Sequence, residues 1–97
     1  MRLRLTPDAE QDITDIFVYG VLTYGLKLSE EYSGRLQGAI DRLGDYPMLG
    51  REHDEINPPV RLYRYESHHI LYAIRDGELL VLRVLHGSVD WISLLGH

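Results

Sequence analysis

Cysteine is absent from the 97 residues, which excludes disulfides and thiolate-bound zinc and leaves the redox compartment unreadable from thiol usage. Lysine is nearly absent too, Lys27 standing alone, and the formal net charge is −5. An acidic chain gains little counterion-release affinity from a nucleic-acid backbone, so no direct sequence-specific nucleic-acid binding is predicted. No apolar run approaches the roughly 20 residues of a membrane span, and Met1 to Leu5 simply alternates, so the chain is expected to be cytoplasmic. The serines sit in no G-x-S-x-G, and the scattered glycines form no G-x-x-x-x-G-K phosphate loop. His68 and His69 are adjacent on a strand or turn and point to opposite faces, and His86-x3-Asp90 falls where a strand ends. Neither pair builds a ligand set, so no metal and no cofactor is expected.

What is present reads as one domain, 1–97, with 44% apolar and 26% charged residues. Arg2 to Leu5 is an edge strand. Thr6-Pro7-Asp8 is a helix start, with a Thr N-cap, Pro at the first helical position and acids at the positive end of the dipole. Ala9, Ile13, Ile16, Phe17, Gly20 and Tyr24 form its buried stripe, Asp12 and Asp15 fall on a solvated face, and Gly25 ends it. A second helix is expected two to four residues later, with Leu28, Tyr32, Leu36, Ala39, Ile40 and Leu43 facing inward. Its Gly34 and Gly38 each cost about 1 kcal/mol against alanine, which calls for close backbone approach by the first helix or another chain. Gly44 and Pro47 stop it, and Met48 to Pro59 reads as a loop.

Three strands follow. Asp76-Gly77 is a strong two-residue hairpin signal, which pairs Arg75 with Glu78, Ile74 with Leu79, Tyr72 with Val81 and Ile70 with Arg83. A turn at Ser67-His68 pairs Tyr65 with Ile70 and Tyr63 with Tyr72. Alternation then assigns Val60, Leu62, Leu71, Ala73, Leu80, Leu82 and Val84 to a core face. The other face carries Arg61, Tyr63, Tyr65, Tyr72, Val81 and Arg83, a Tyr- and Arg-rich composition suited to a protein partner. The architecture is α+β, β-α-α-β-β-β: a two-helix antiparallel hairpin packed on one face of a small antiparallel sheet. A second chemistry is open: Arg61 and Arg83 to hold a phosphate and His86 to move a proton, a workable ribonuclease set.

The spacing Pro7-x-Ala9-x2-Asp12-Ile13-x2-Ile16, then Tyr24-Gly25, Tyr32-x3-Leu36-x3-Ile40-x2-Leu43-x3-Pro47-x2-Gly50, Val60-Arg61, Tyr72-x-Ile74 and Arg83-Val84-Leu85-His86-x3-Asp90 closely resembles the ParE-type toxins of the RelE/ParE superfamily. The resemblance implies a type II toxin that poisons DNA gyrase without chemistry of its own and is neutralised in a hetero-oligomer by a ParD-like antitoxin. The sibling RelE branch, which cuts mRNA on the ribosome, is basic; this chain is acidic, has one Lys and lacks a C-terminal Tyr. The alternatives are a RelE-like endoribonuclease using Arg61, Arg83 and His86, and a non-toxic degenerate member that only regulates its operon. The expected antitoxin-binding residues are Arg61, Tyr63, Tyr65, Tyr72, Val81 and Arg83, and the expected target-binding residues His86, Asp90 and Trp91.

Overall fold

The computed structural model describes residues 1–95; the end of the expected 1–97 domain, Gly96 and His97, lies outside them. The elements are β1 (Arg2–Leu5), α1 (Pro7–Tyr24), α2 (Leu26–Asp45), β2 (Arg51–His53), β3 (Val60–Tyr65), β4 (His68–Arg75), β5 (Glu78–His86) and α3 (Trp91–Leu95). One five-stranded sheet has the order β1-β5-β4-β3-β2. The β2 to β5 neighbours are antiparallel, while β1 runs parallel to β5, so the sheet is mixed. The expected two-layer α+β architecture is present, with β2 and α3 added to it.

The chain folds locally for readable reasons. The Thr6 hydroxyl accepts from the Ala9 N–H at 3.0 Å and donates to the Leu82 carbonyl at 2.7 Å, so one side chain caps α1 and ties its start to β5. Gly25 adopts φ +94, which suits glycine, and α2 begins at once instead of after a short loop. Gly20 packs directly on Ser29, whose Oγ donates to the Phe17 carbonyl at 2.8 Å. The close helix contact is therefore at Gly20. Nothing lies within 4 Å of a Cβ built on Gly34 or Gly38, so the expected approach of α1 to those glycines does not occur. Tyr24 and Leu28, expected in the buried stripes, are exposed at the hairpin apex, beyond the reach of the core.

The helices cover the sheet face opposite to the one expected. Ile70, Tyr72, Leu79, Val81 and Val84 pack with Ala9, Leu36, Ala39, Ile40 and Leu43 as the main core, with Tyr63, Tyr65 and Ile74 at its margin. Fully burying each such aliphatic side chain is worth about 1.5–3 kcal/mol. The face read as core carries a smaller cluster of Ile56, Val60, Leu71, Leu85 and Trp91, closed by α3 and the segment before β3. Both faces are apolar, and alternation groups residues by face without saying which face the helices choose.

The Asp76-Gly77 register holds from Arg75–Glu78 to Tyr72–Val81. Leu82 then has no partner, and Leu71 pairs with Arg83 and Ile70 with Val84. This bulge flips the alternation, sending Val84 to the helix side and Leu85 to the other. The preceding turn is Glu66-Ser67, with Glu66 at φ 49, so Tyr65 pairs with His68 and Tyr63 with Ile70. That is a two-residue shift from the expected register, and an even shift leaves every side chain on its face.

Candidate functional site

The sheet interior takes two of the residues expected to face a partner. Tyr72 and Val81 are both fully buried under the helices. The Tyr72 hydroxyl accepts from the Gly50 N–H at 2.8 Å and donates to the Pro47 carbonyl at 2.7 Å. Burial pushes the Tyr72 hydroxyl above its ordinary pKa. Its role is to pin the chain between α2 and β2, and an antitoxin cannot reach it in this fold. Arg61 helps from β3: it is half-buried, and its Nη1 donates to the Gly50 carbonyl at 2.7 Å. Tyr63 and Tyr65 are half-buried at the margin of the main core and keep partial access to solvent.

Arg83 is held by a residue assigned above to a solvated face. Its Nε and Nη2 donate to the two carboxylate oxygens of Asp12 at 2.8 and 2.9 Å, and Asp12 also accepts from the Val84 N–H at 2.9 Å. The bond to Asp12 raises the guanidinium pKa further. β1 ends opposite Val81, so β5 has a free edge beyond it, and Thr6 and Asp12 of the α1 start satisfy that edge. Helical spacing places Asp12 off the apolar stripe, and nothing in the spacing says that a sheet edge waits there.

The far end of β4 and β5 gathers histidines. His68 and His86 meet edge-on with ring centroids 5.7 Å apart, and the Tyr32 hydroxyl bonds His68 Nδ1 at 2.5 Å. Burial, then Glu66 and Tyr65, push the Tyr32 hydroxyl up to about 12. Burial, then His86, lower the pKa of His68, and burial, then Arg64, lower that of His69. Arg64, Glu66, His69, His86 and Ser88 border a shallow cleft of about 370 Å³. His86 is exposed, and its Nδ1 is engaged by the Ser88 N–H at 3.1 Å and the Ser88 hydroxyl at 2.7 Å. Asp90 is exposed and caps α3, accepting from the Ser93 N–H at 3.3 Å and hydroxyl at 2.7 Å, bonds that lower its carboxyl pKa. Trp91 is nearly buried, edge-on to His53 at 4.9 Å, and belongs to the smaller core rather than to an open target-binding surface.

The three residues of the ribonuclease alternative are not brought together. Arg61 lies on β3 opposite Tyr72, Arg83 lies on β5 opposite Leu71, and His86 sits at the strand end opposite His68. With β4 between β3 and β5, the two arginines start about 10 Å apart, and each is already engaged elsewhere. Among the described residues no three His, Asp or Glu side chains gather to hold a metal ion, and no helix is long and apolar enough to cross a membrane.

Comparison with known proteins places this geometry. The family profile described as "ParE toxin of type II toxin-antitoxin system, parDE" matches residues 3–91. Toxin ParE1 of Mycobacterium tuberculosis (strain H37Rv) is 36% identical over 90 residues, covering 92% of each chain. Toxin ParE of Escherichia coli is 32% identical over 94 residues, covering 94% of this chain and 89% of that one. A solved structure titled "Chromosomal ParDE TA system from P. aeruginosa" shares the fold at a TM-score of 0.79 and 19% identity, covering 89% of this chain and 95% of that one. The chain, with its helical hairpin on a mixed sheet, belongs to the ParE toxin family of type II toxin–antitoxin systems.

Proposed function

We propose that this toxin acts by binding, that its target is DNA gyrase, and that a ParD-like antitoxin neutralises it. The observation that carries the binding reading is the Asp12–Arg83 pair. A ribonuclease of the kind considered above needs a free cation at the scissile phosphate. Here the guanidinium is neutralised by a carboxylate that also serves the backbone of β5. Membership of the ParE family supports gyrase as the target. Within the chain, the net charge of −5 and the single Lys suit a protein target better than an RNA one.

The antitoxin surface is drawn from the residues that keep access. β2 pairs with Val60 to Leu62, so among the described residues the outer edge of β3 from Tyr63 to Tyr65 has no strand beside it. An extended antitoxin segment can pair with that edge while Tyr63 and Tyr65 supply aromatic contact area. The target surface is assigned to the exposed strand end at His86 and Asp90.

Growth arrest on induction tests the choice between binding and cleavage. Arg83→Ala, which removes the phosphate-holding cation of the ribonuclease set and lies outside both proposed binding surfaces, is expected to remain toxic. Loss of toxicity in a folded Arg83→Ala, together with ribosome-dependent mRNA cuts by the wild type, contradicts the binding reading.

A further inference from the structure

The cleft at the far end of β4 and β5 is bordered mainly by hydrogen-bond donors. Arg64 and His69 are cross-strand partners, and such a pair holds its side chains next to each other on one face. Arg64 is exposed, and among the described residues its guanidinium makes one bond, from Nε to the Glu66 carbonyl at 3.5 Å. His86 Nδ1 accepts from the Ser88 N–H, so in the neutral ring the proton sits on Nε2. His69 Nδ1 is buried with no partner among the described residues, which makes Nε2 the better place for its proton too. A Cβ on Gly87 would stand 3.5 Å from His69 Nε2, so glycine leaves the approach to that nitrogen open. The Ser67 carbonyl is already taken by the Gly87 N–H at 2.8 Å. Glu66 is the one acid at the border, and its carboxylate is paired with Arg35 of α2 at 3.7 Å. The Glu66 charge is felt by Tyr32 and His68, whereas His69 feels Arg64 and His86. Asp90, four residues beyond His86, holds the Ser93 N–H and hydroxyl.

We infer that this cleft takes a single carboxylate, an Asp or Glu side chain of the toxin's protein target, between Arg64, His69 and His86. The inference rests on the reading that the toxin acts by binding through the strand end at His86. A guanidinium and two imidazole N–H groups suit an oxyanion, and Arg meets a carboxylate with two parallel bonds. Charge selects one carboxylate over a nucleic-acid strand. Arg64 is the one permanent cation at the cleft and matches one negative charge. A strand instead brings a charge with every nucleotide toward a chain whose net charge is −5.

Two end-capped pentapeptides, Gly-Leu-Glu-Leu-Gly and Gly-Leu-Gln-Leu-Gly, test the site in an NMR titration of the full chain, beside a thymidine hexanucleotide. The Glu peptide is expected to shift the His69 and His86 ring signals along a saturable curve and to bind about tenfold more tightly than the Gln peptide. Arg64→Gln removes that preference. Gly87→Ala, whose methyl meets only ordinary contact distances, keeps the fold and weakens the Glu peptide by narrowing the approach to His69. Equal affinity for the two peptides, no binding of either, or a preference undiminished in a folded Arg64→Gln overturns the proposal. So does tighter binding of the hexanucleotide than of the Glu peptide, because it gives the cleft to a nucleic-acid strand. In cells, Arg64→Gln is expected to weaken growth arrest at unchanged expression. Full toxicity in a variant that has lost the carboxylate preference overturns the assignment of the cleft to the target. Ribosome-dependent mRNA cleavage by the wild type contradicts the binding reading instead, and the peptide titration decides the chemistry of the cleft independently of it.

Discussion

Asp12 serves three donors with one carboxylate, and two of them belong to a side chain that is only one-quarter exposed. Removing the carboxylate strands the Arg83 guanidinium and the Val84 N–H together. Asp12→Ala is therefore expected to cost about 2–3 kcal/mol in urea unfolding. Arg83→Ala leaves the Val84 bond intact and is expected to cost about 1 kcal/mol. Equal losses, or the reverse order, contradict the shared-acceptor account. At Tyr72 the argument is the same with neutral groups: Tyr72→Phe leaves the Gly50 N–H and the Pro47 carbonyl without their partner. A loss of about 1–3 kcal/mol is expected, read as a lower denaturant midpoint at unchanged m-value. Neither role was legible in the sequence. Asp12 read as a solvated helix acid and Tyr72 as an interface aromatic, because each contact spans more than 20 residues of chain.

The glycines of the helical hairpin separate close packing from open surface. Gly20→Ala drives a Cβ into Ser29, leaving 3.0 Å to its Cβ and less to its Oγ, and must part α1 from α2. Gly34→Ala and Gly38→Ala meet nothing and remove backbone entropy from the unfolded chain. The first is expected to lower the melting temperature, and each of the others to stabilise by about 0.5–1 kcal/mol. A stabilising Gly20→Ala contradicts the assigned helix contact. At the histidine end of β4, the lowered pKa of His68 sets a sign for pH dependence. The unfolded chain takes up the proton first, so this contribution is complete above about pH 6.5 and is lost as pH falls through the depressed folded value. The melting temperature is expected to drop from near pH 7 to near pH 5, and less steeply in His68→Gln; identical slopes contradict it.

These elements also show what the sequence could tell. The N-cap at Thr6, the stop at Gly25 and the Asp76-Gly77 turn were all legible, because each rests on a local conformational requirement of one or two residues. β2 was not, since Arg51-Glu52-His53 carries no apolar alternation and pairs only at a sheet edge. The turn at Glu66-Ser67 lies one residue before the expected Ser67-His68 and contains no glycine to mark its positive φ. The bulge at Leu82 has no compositional signal at all.

At the scale of the whole molecule, the sheet's two apolar faces are shared between a large core under the helices and a small one under α3. Alternation does not choose between them, and the face expected to meet a partner is the one that the helices bury. Val81→Asp places a carboxylate in the main core and is expected to prevent folding. The β3 edge and the strand end at His86 stay accessible, and these are the surfaces proposed above for the antitoxin and the target. The most direct test of toxicity by binding is a supercoiling titration of purified gyrase with the free toxin, run beside translation of a reporter mRNA on ribosomes. Dose-dependent loss of supercoiling, relieved by the cognate antitoxin, with the mRNA left intact, is the predicted result. Unimpaired supercoiling together with codon-dependent mRNA cleavage is the result that contradicts it.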